Sequence, residues 1–143
     1  MALPAQNKID MRMSVDEWFL MLADAVASRS SCKDGRKHGA VLALEGRYIV
    51  SAGYNGTAKG QPHCAQVCMW PGYCPSVHAE VNLMLNAGKV NVDMEKCVVY
   101  CTKQPCDHCM AVMLNAGVPK VVWREPQKKN GMGARHLFPK ERS

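Results

Sequence analysis

Apolar residues first recur at helical spacing at Trp18, Met21, Leu22, Ala25 and Val26, which predicts a helix running to about Arg29. Ser14-Val15-Asp16-Glu17 precedes them with the form of a capping box, a hydroxyl at the helix start and a glutamate three residues on. The period then shortens. Residues 40–44 and 48–53 are short apolar runs around the turn Glu45-Gly46, so two strands are expected there. From Thr57 to Ser76 neither period survives, and a loop of that length inside a domain needs a function or a staple. A second helix is predicted from about Val77 through Val81, Leu83, Met84 and Leu85 to the stop Ala87-Gly88. A strand follows at 97–102, a helix at 106–116 ended by Gly117, and a strand at 120–123. This α-β-α-β alternation predicts an α/β fold, a sheet covered by helices with parallel strands joined through helical crossovers. No internal repeat breaks the pattern, and residues 1–143 read as one domain. Residues 1–13 form a flexible lead, and 125–143 a basic tail with a weak helical signal near Met132 to Leu137.

Composition adds limits rather than a function. A chain of 143 residues with 48% hydrophobic and 21% charged residues can build its own core. No stretch approaches the roughly 18 apolar residues of a membrane span, and the opening MALPAQNKIDMRMS does not resemble a signal peptide. The expected location is the cytoplasm. The net charge of +6 owes much to Arg124, Lys128, Lys129, Arg135, Lys140 and Arg142, a run that is usually a solvated surface. A small anionic substrate would suit a mildly basic protein equally well.

The eight cysteines change the picture. They stand at 32, 64, 68, 74, 97, 101, 106 and 109, with histidines at 38, 63, 78, 108 and 136. In an intracellular chain such a set reads as metal ligands rather than disulfides. His78 and Glu80 fall in the opening turn of the second predicted helix, and Cys106 and Cys109 in that of the third. Cysteines three apart share a helix face, so both sulfurs can reach one ion. Helix N-termini lower thiolate pKa values and balance an anionic ligand set. One imidazole and two thiolates leave the fourth position of a tetrahedral zinc open for water, the arrangement of a catalytic site. Glu80, not a ligand, would take the proton of that water and hand it to a leaving amine. His78-Ala79-Glu80 and Pro105-Cys106-Asp107-His108-Cys109 together match the H-x-E…P-C-x-x-C pattern of zinc deaminases. His108 lies on the helix face away from both sulfurs, and Cys97 and Cys101 read as small buried hydrophobes on one strand face.

With these motifs the chain resembles the cytidine deaminase superfamily, and within it the deoxycytidylate (dCMP) deaminases, over about Ser28 to Trp123. The segments Ser28-Arg29-Ser30-Ser31-Cys32, His38-Gly39-Ala40-Val41, Gly53-Tyr54-Asn55-Gly56 and Asn115-Ala116-Gly117-Val118 carry that likeness beyond the zinc motifs. The resemblance implies a three-layer α-β-α fold with a mixed sheet of four to five strands. It implies hydrolytic deamination of dCMP to dUMP and ammonia, with zinc on His78, Cys106 and Cys109 and Glu80 as the proton shuttle. It also implies substrate contacts from Asn55, the Ala79 backbone, Tyr54 and Gly56, homo-oligomers from dimer to hexamer, and regulation by dCTP and dTTP. Cys32, Cys64, Cys68 and Cys74 remain, and four cysteines near one another suit a closed, structural zinc that would pin the long loop. Bacterial and phage members of the family carry such an ion near these positions, and His63 is an alternative ligand.

Three departures bear on the substrate. Asn82-Leu83-Met84 replaces the family's Asn-Ala-Ile, Pro75-Ser76-Val77 offers no basic residue before His78, and the C-terminus is short. A nucleotide phosphate needs positive partners, for which Lys33, Arg36, Lys37, Lys59 and Lys103 are candidates. Other readings are a deaminase of dCTP, of a free nucleoside, or of a base in tRNA or single-stranded DNA. With 6% aromatic residues and no aromatic-basic interleaving, nucleic acid gains little support. From another class comes a non-catalytic, zinc-stapled nucleic-acid-binding module.

Overall fold

Ser14 caps the first helix by accepting the Glu17 N–H on its Oγ at 3.2 Å, one half of the box its sequence announces. The computed structural model describes residues 11–33, 35–64 and 74–124. In it α1 is Val15–Ala27, β1 Gly39–Leu44, β2 Tyr48–Tyr54, α2 Ala79–Ala87, β3 Cys97–Cys101, α3 Asp107–Asn115 and β4 Lys120–Trp123. Every predicted element between 14 and 123 forms, with its ends slightly shifted. Glu45 and Gly46 both have positive φ, 56° and 65°, and Arg47 N–H bonds the Leu44 carbonyl at 3.0 Å. That is a type I′ turn, whose twist matches the hairpin it closes.

The sheet runs in the order β2-β1-β3-β4. β1 is antiparallel to both β2 and β3, and β3 is parallel to β4, so β2, β3 and β4 all point the same way. Two consequences follow. Right-handed crossovers place α2 and α3 on the same face of the sheet, where Leu83 and Met113 join Leu42, Val99 and Val121 in one core. The same topology brings the N-termini of α2 and α3 to one end of the sheet, beside the carboxyl ends of β2 and β3. The other face belongs to α1, whose Phe19 stacks on Tyr100 with ring centroids 4.8 Å apart. Three layers result, as the family resemblance implies. Among the described residues no helix is long and apolar enough to cross a membrane.

The residues whose spacing marks α1 are not the ones that it buries most deeply. The buried side of α1 is Phe19, Leu20, Ala23 and Ala27, while Trp18 and Met21 are 43% and 46% exposed. Leu22 and Val26 pack only at its margin. Gly39 is the cause: a Cβ there would strike the Ala23 carbonyl oxygen and the Ala27 amide nitrogen. The helix backbone rests on β1 through small residues, so Ala23 and Ala27 point inward beside Phe19 and Leu20, and Trp18 and Met21 do not.

On the opposite face α2 rests on Gly53 in the same manner. It also seals part of the β2 edge: Asn82 Nδ2 donates to the Tyr54 carbonyl and Asn86 Nδ2 to the Ala52 carbonyl, each at 2.8 Å. Ser51 Oγ donates back to the Leu83 carbonyl at 2.9 Å. The two asparagine bonds occupy carbonyls that an edge strand would otherwise present to another chain.

Candidate active site

His78 is the N-cap of α2, and its imidazole makes no capping bond, which leaves the ring to turn toward α3. Cys106 is the N-cap of α3, and its Sγ accepts the Cys109 N–H at 3.5 Å. A sulfur at that position faces the positive end of the helix. His78 Nδ1 lies 3.6 Å from Cys106 Sγ and 3.4 Å from Cys109 Sγ, and the three atoms lie within 4.8 Å of one another. Among the described residues no other group of three His, Cys, Asp or Glu ligand atoms comes so close together.

The donor set fits zinc. Tetrahedral ligands at about 2.0 Å for nitrogen and about 2.3 Å for sulfur stand about 3.5 Å apart, the spacing found here. Burial first, and then the charge of Glu80, push the Cys109 thiol well up from its ordinary value. Such a buried thiol beside a carboxylate needs a cation to ionise, and a divalent metal supplies one. Cys101, fully buried beneath the site, is raised for the same reasons, burial and then Glu80 and Cys109, and stays a neutral part of the core. Cys97 is buried there as well. His108 is exposed on α3 and outside the cluster.

Glu80 is only 8% exposed. It shares with His78, Ala79, Cys106 and Asn55 a cavity of about 450 Å³. Glu80 is not one of the three grouped ligand residues, although its carboxylate lies beside Cys109, where it could serve proton transfer. His38 lines the same cavity, with its pKa lowered by burial and by Lys103, against an upward pull from Glu80. Its side chain went unnoticed in the sequence because it enters as the first residue of a strand motif.

The four expected substrate contacts separate. Asn55 and Ala79 reach the metal-side cavity, whereas Tyr54 and Gly56 line a neighbouring one with His63 and Lys59. Strand alternation explains the split, since successive residues of β2 and its extension point to opposite sides. The Asn55 amide is itself committed: Oδ1 accepts the His38 N–H and Nδ2 donates to the Arg36 carbonyl, both at 2.8 Å. One amide hydrogen and one lone pair remain for a ligand. Of the five candidate cations, Lys33, Arg36 and Lys103 line the metal-side cavity.

Cys32, Cys64 and Cys74 also line that cavity, although they do not gather at ligand distance from one another. Cys68 lies outside the described residues, as do the basic tail 125–143 and the weak helical segment near 132–137 within it.

The sequence pattern of the cytidine and deoxycytidylate deaminase zinc-binding region matches residues 13–125. The chain is similar to the deoxycytidylate deaminase of Saccharomyces cerevisiae, 33% identical over 129 residues, which cover 80% of this chain and 39% of the yeast protein. It is similar to ComE operon protein 2 of Bacillus subtilis, 31% identical over 130 residues, covering 89% of this chain and 67% of that protein. This chain thus spans about two fifths of the yeast relative's length. Among solved structures, the dCMP deaminase from the cyanophage S-TIM5 in complex with dCMP and dUMP superposes with a TM-score of 0.70 at 28% identity, covering 80% of this chain and 84% of that one. A motif pair at two helix starts, a ligand cluster of zinc dimensions and a matched region of this extent place the chain in the cytidine and deoxycytidylate deaminase family.

Proposed function

We propose that this protein is a zinc-dependent hydrolase that deaminates a cytosine nucleotide, dCMP, to dUMP and ammonia. The observation that carries the reading is the His78, Cys106 and Cys109 cluster, with a buried glutamate beside it that is not a ligand, on one cavity. Zinc held by these three residues supplies the Lewis acidity that makes a water nucleophilic at neutral pH. Glu80 accepts a proton from the attacking water and returns it to the amine that leaves carbon 4 of cytosine. The chain's burial of Glu80 excludes bulk water from that transfer. Asn55 and the Ala79 backbone hold the nucleoside, and Lys33, Arg36 and Lys103 meet its phosphate. Glu80 is the only acidic residue among the described residues lining the cavity, which suits an anionic substrate.

Incubating the protein with dCMP, dCTP, deoxycytidine and cytosine oligonucleotides, and measuring the uracil product, tests this directly. Release of dUMP from dCMP at the highest kcat/KM is expected. A preference for any of the others would reassign the substrate, and no product from any cytosine would end the reading.

The same reading extends to a second, structural zinc on Cys32, Cys64, Cys68 and Cys74. It is supported by three of the four lining one cavity at the mouth of the long loop. Metal analysis should return two zinc ions per chain, falling to one in Cys32→Ser, with a lower melting temperature. One ion in the unaltered protein would remove the structural site. Residues 1–143 act in this reading as a single cytoplasmic domain, assembled into homo-oligomers and regulated by dCTP and dTTP, as the family resemblance implies.

A further inference from the structure

A buried serine holds the wall of the cavity together. Ser30 is 3% exposed, and its Oγ donates to the Asn55 carbonyl at 2.8 Å while accepting the Cys32 N–H at 3.2 Å. Asn55 carries the connection on. Its side chain bonds the His38 N–H and the Arg36 carbonyl, and its own N–H donates to the His38 carbonyl at 3.2 Å. Cys32 on one side and Arg36 and His38 on the other are therefore tied to one node, Ser30 through Asn55. Between the ties Arg36 N–H bonds the Lys33 carbonyl at 3.0 Å, and Gly35 has a φ of 83°. Lys33 and Arg36 both line the cavity. The third cation, Lys103, is placed by the preceding Thr102, whose N–H donates to the Gly39 carbonyl at 3.0 Å and whose Oγ1 accepts the Gly39 N–H at 3.2 Å.

Charged side chains on a loop recognise a phosphate only when the loop is fixed, because ordering the turn on binding would consume the contact energy. A hydroxyl suits the node because it donates and accepts at once, which alanine cannot. We propose that Ser30 is a positioning residue for substrate recognition: acting through Asn55, it ties Cys32, Arg36 and His38 so that Lys33 and Arg36, with Lys103, receive the phosphate of the nucleotide. This rests on the deaminase reading above, and it supplies the positive partners that Pro75-Ser76-Val77 does not offer.

The test compares Ser30→Ala, Ser30→Thr, Lys33→Ala and Arg36→Ala in the full-length zinc-loaded protein, with kcat and KM for dCMP and inhibition by inorganic phosphate. Ser30→Ala should raise KM for dCMP about tenfold with kcat within about twofold, as the loss of one charge-assisted contact implies. Its inhibition constant for phosphate should rise in parallel. Ser30→Thr, which keeps the hydroxyl, should restore most of the affinity. Arg36→Ala or Lys33→Ala should reproduce the rise in KM, and Ser30→Ala added to Arg36→Ala should raise it by less than the product of the two. An unchanged KM in both cation variants overturns the proposal even if Ser30→Ala fails to fold. So does a Ser30→Ala protein that loses kcat while KM and phosphate inhibition stay put, since that is the mark of general disorder at the site. An unaltered protein that turns over no dCMP would instead strike the deaminase reading, and this inference with it.

Discussion

Glu80→Gln should lower kcat for dCMP by about 10³-fold or more while zinc content stays at the unaltered level. Glutamine fills the same space and keeps a carbonyl oxygen, but it cannot carry a proton from the water to the leaving amine. General acid–base catalysis by one positioned side chain contributes about 10² to 10⁴ in rate, and here one carboxylate acts in both directions. Glu80 lies outside the ligand cluster, so the metal should be retained. Its charge also opposes ionisation of Cys109, in addition to burial, so removing it should hold the thiolate at least as well. Turnover of dCMP beside zinc stoichiometry separates the outcomes. A variant that keeps its rate would remove Glu80 from the chemistry, and one that loses zinc would make it a support for the metal instead. The non-catalytic, zinc-stapled module would show neither loss.

Gly53→Ala should destabilise the protein by about 3 kcal/mol, the upper range for overpacking a filled contact. A Cβ at that position would run into the Leu83 amide nitrogen, the Ala79 carbonyl oxygen and the Asn82 carbonyl carbon. All three belong to the α2 backbone, which cannot swing aside as a side chain can. Relief requires α2 to lift from the sheet, which strains the Asn82, Asn86 and Ser51 bonds to β2 and moves His78 and Glu80 with it. Displacement of reacting groups by about 1 Å costs about 10² in rate, so the folded fraction should also lose activity. The second glycine of the same motif is the control. A Cβ on Gly56 meets nothing within 4 Å and its φ is not positive, so Gly56→Ala should stay within about 0.5 kcal/mol of the unaltered protein. Equal denaturant midpoints for Gly53→Ala and the parent would show that α2 does not rest on β2.

The two glycines also show why parts of the molecule were hidden in the sequence. Trp18 and Met21 stand at helical spacing and mark α1, yet Phe19, Leu20, Ala23 and Ala27 face inward, the alanines because Gly39 admits the helix backbone. Apolar periodicity finds a helix, but a backbone contact made through glycine and alanine decides which residues of that helix meet the sheet. Similarly, Gly53-Tyr54-Asn55-Gly56 reads as one binding motif, but the chain sends Asn55 to the metal-side cavity and its neighbours to another. Ser30 read only as one member of the segment Ser28 to Cys32 that carries the family likeness, with no role of its own. Its role depends on bonds to Asn55, 25 positions away, and no local pattern records them.

What the sequence by itself determined was local: the capped helices, the hairpin turn, the strands, and the identity of the donors at two helix starts. These follow from periodicity, caps and residue chemistry acting over a few positions. Tertiary structure decided what those donors meet. His78 and Cys106 stand 28 residues apart, and they share a site because β2, β3 and β4 run in one direction, so that α2 and α3 begin at the same end of the sheet. The reversed β1 brings His38 and the cationic turn to that end as well. Strand order and direction are set by which surfaces pack across the whole chain, and no short run of residues carries that choice.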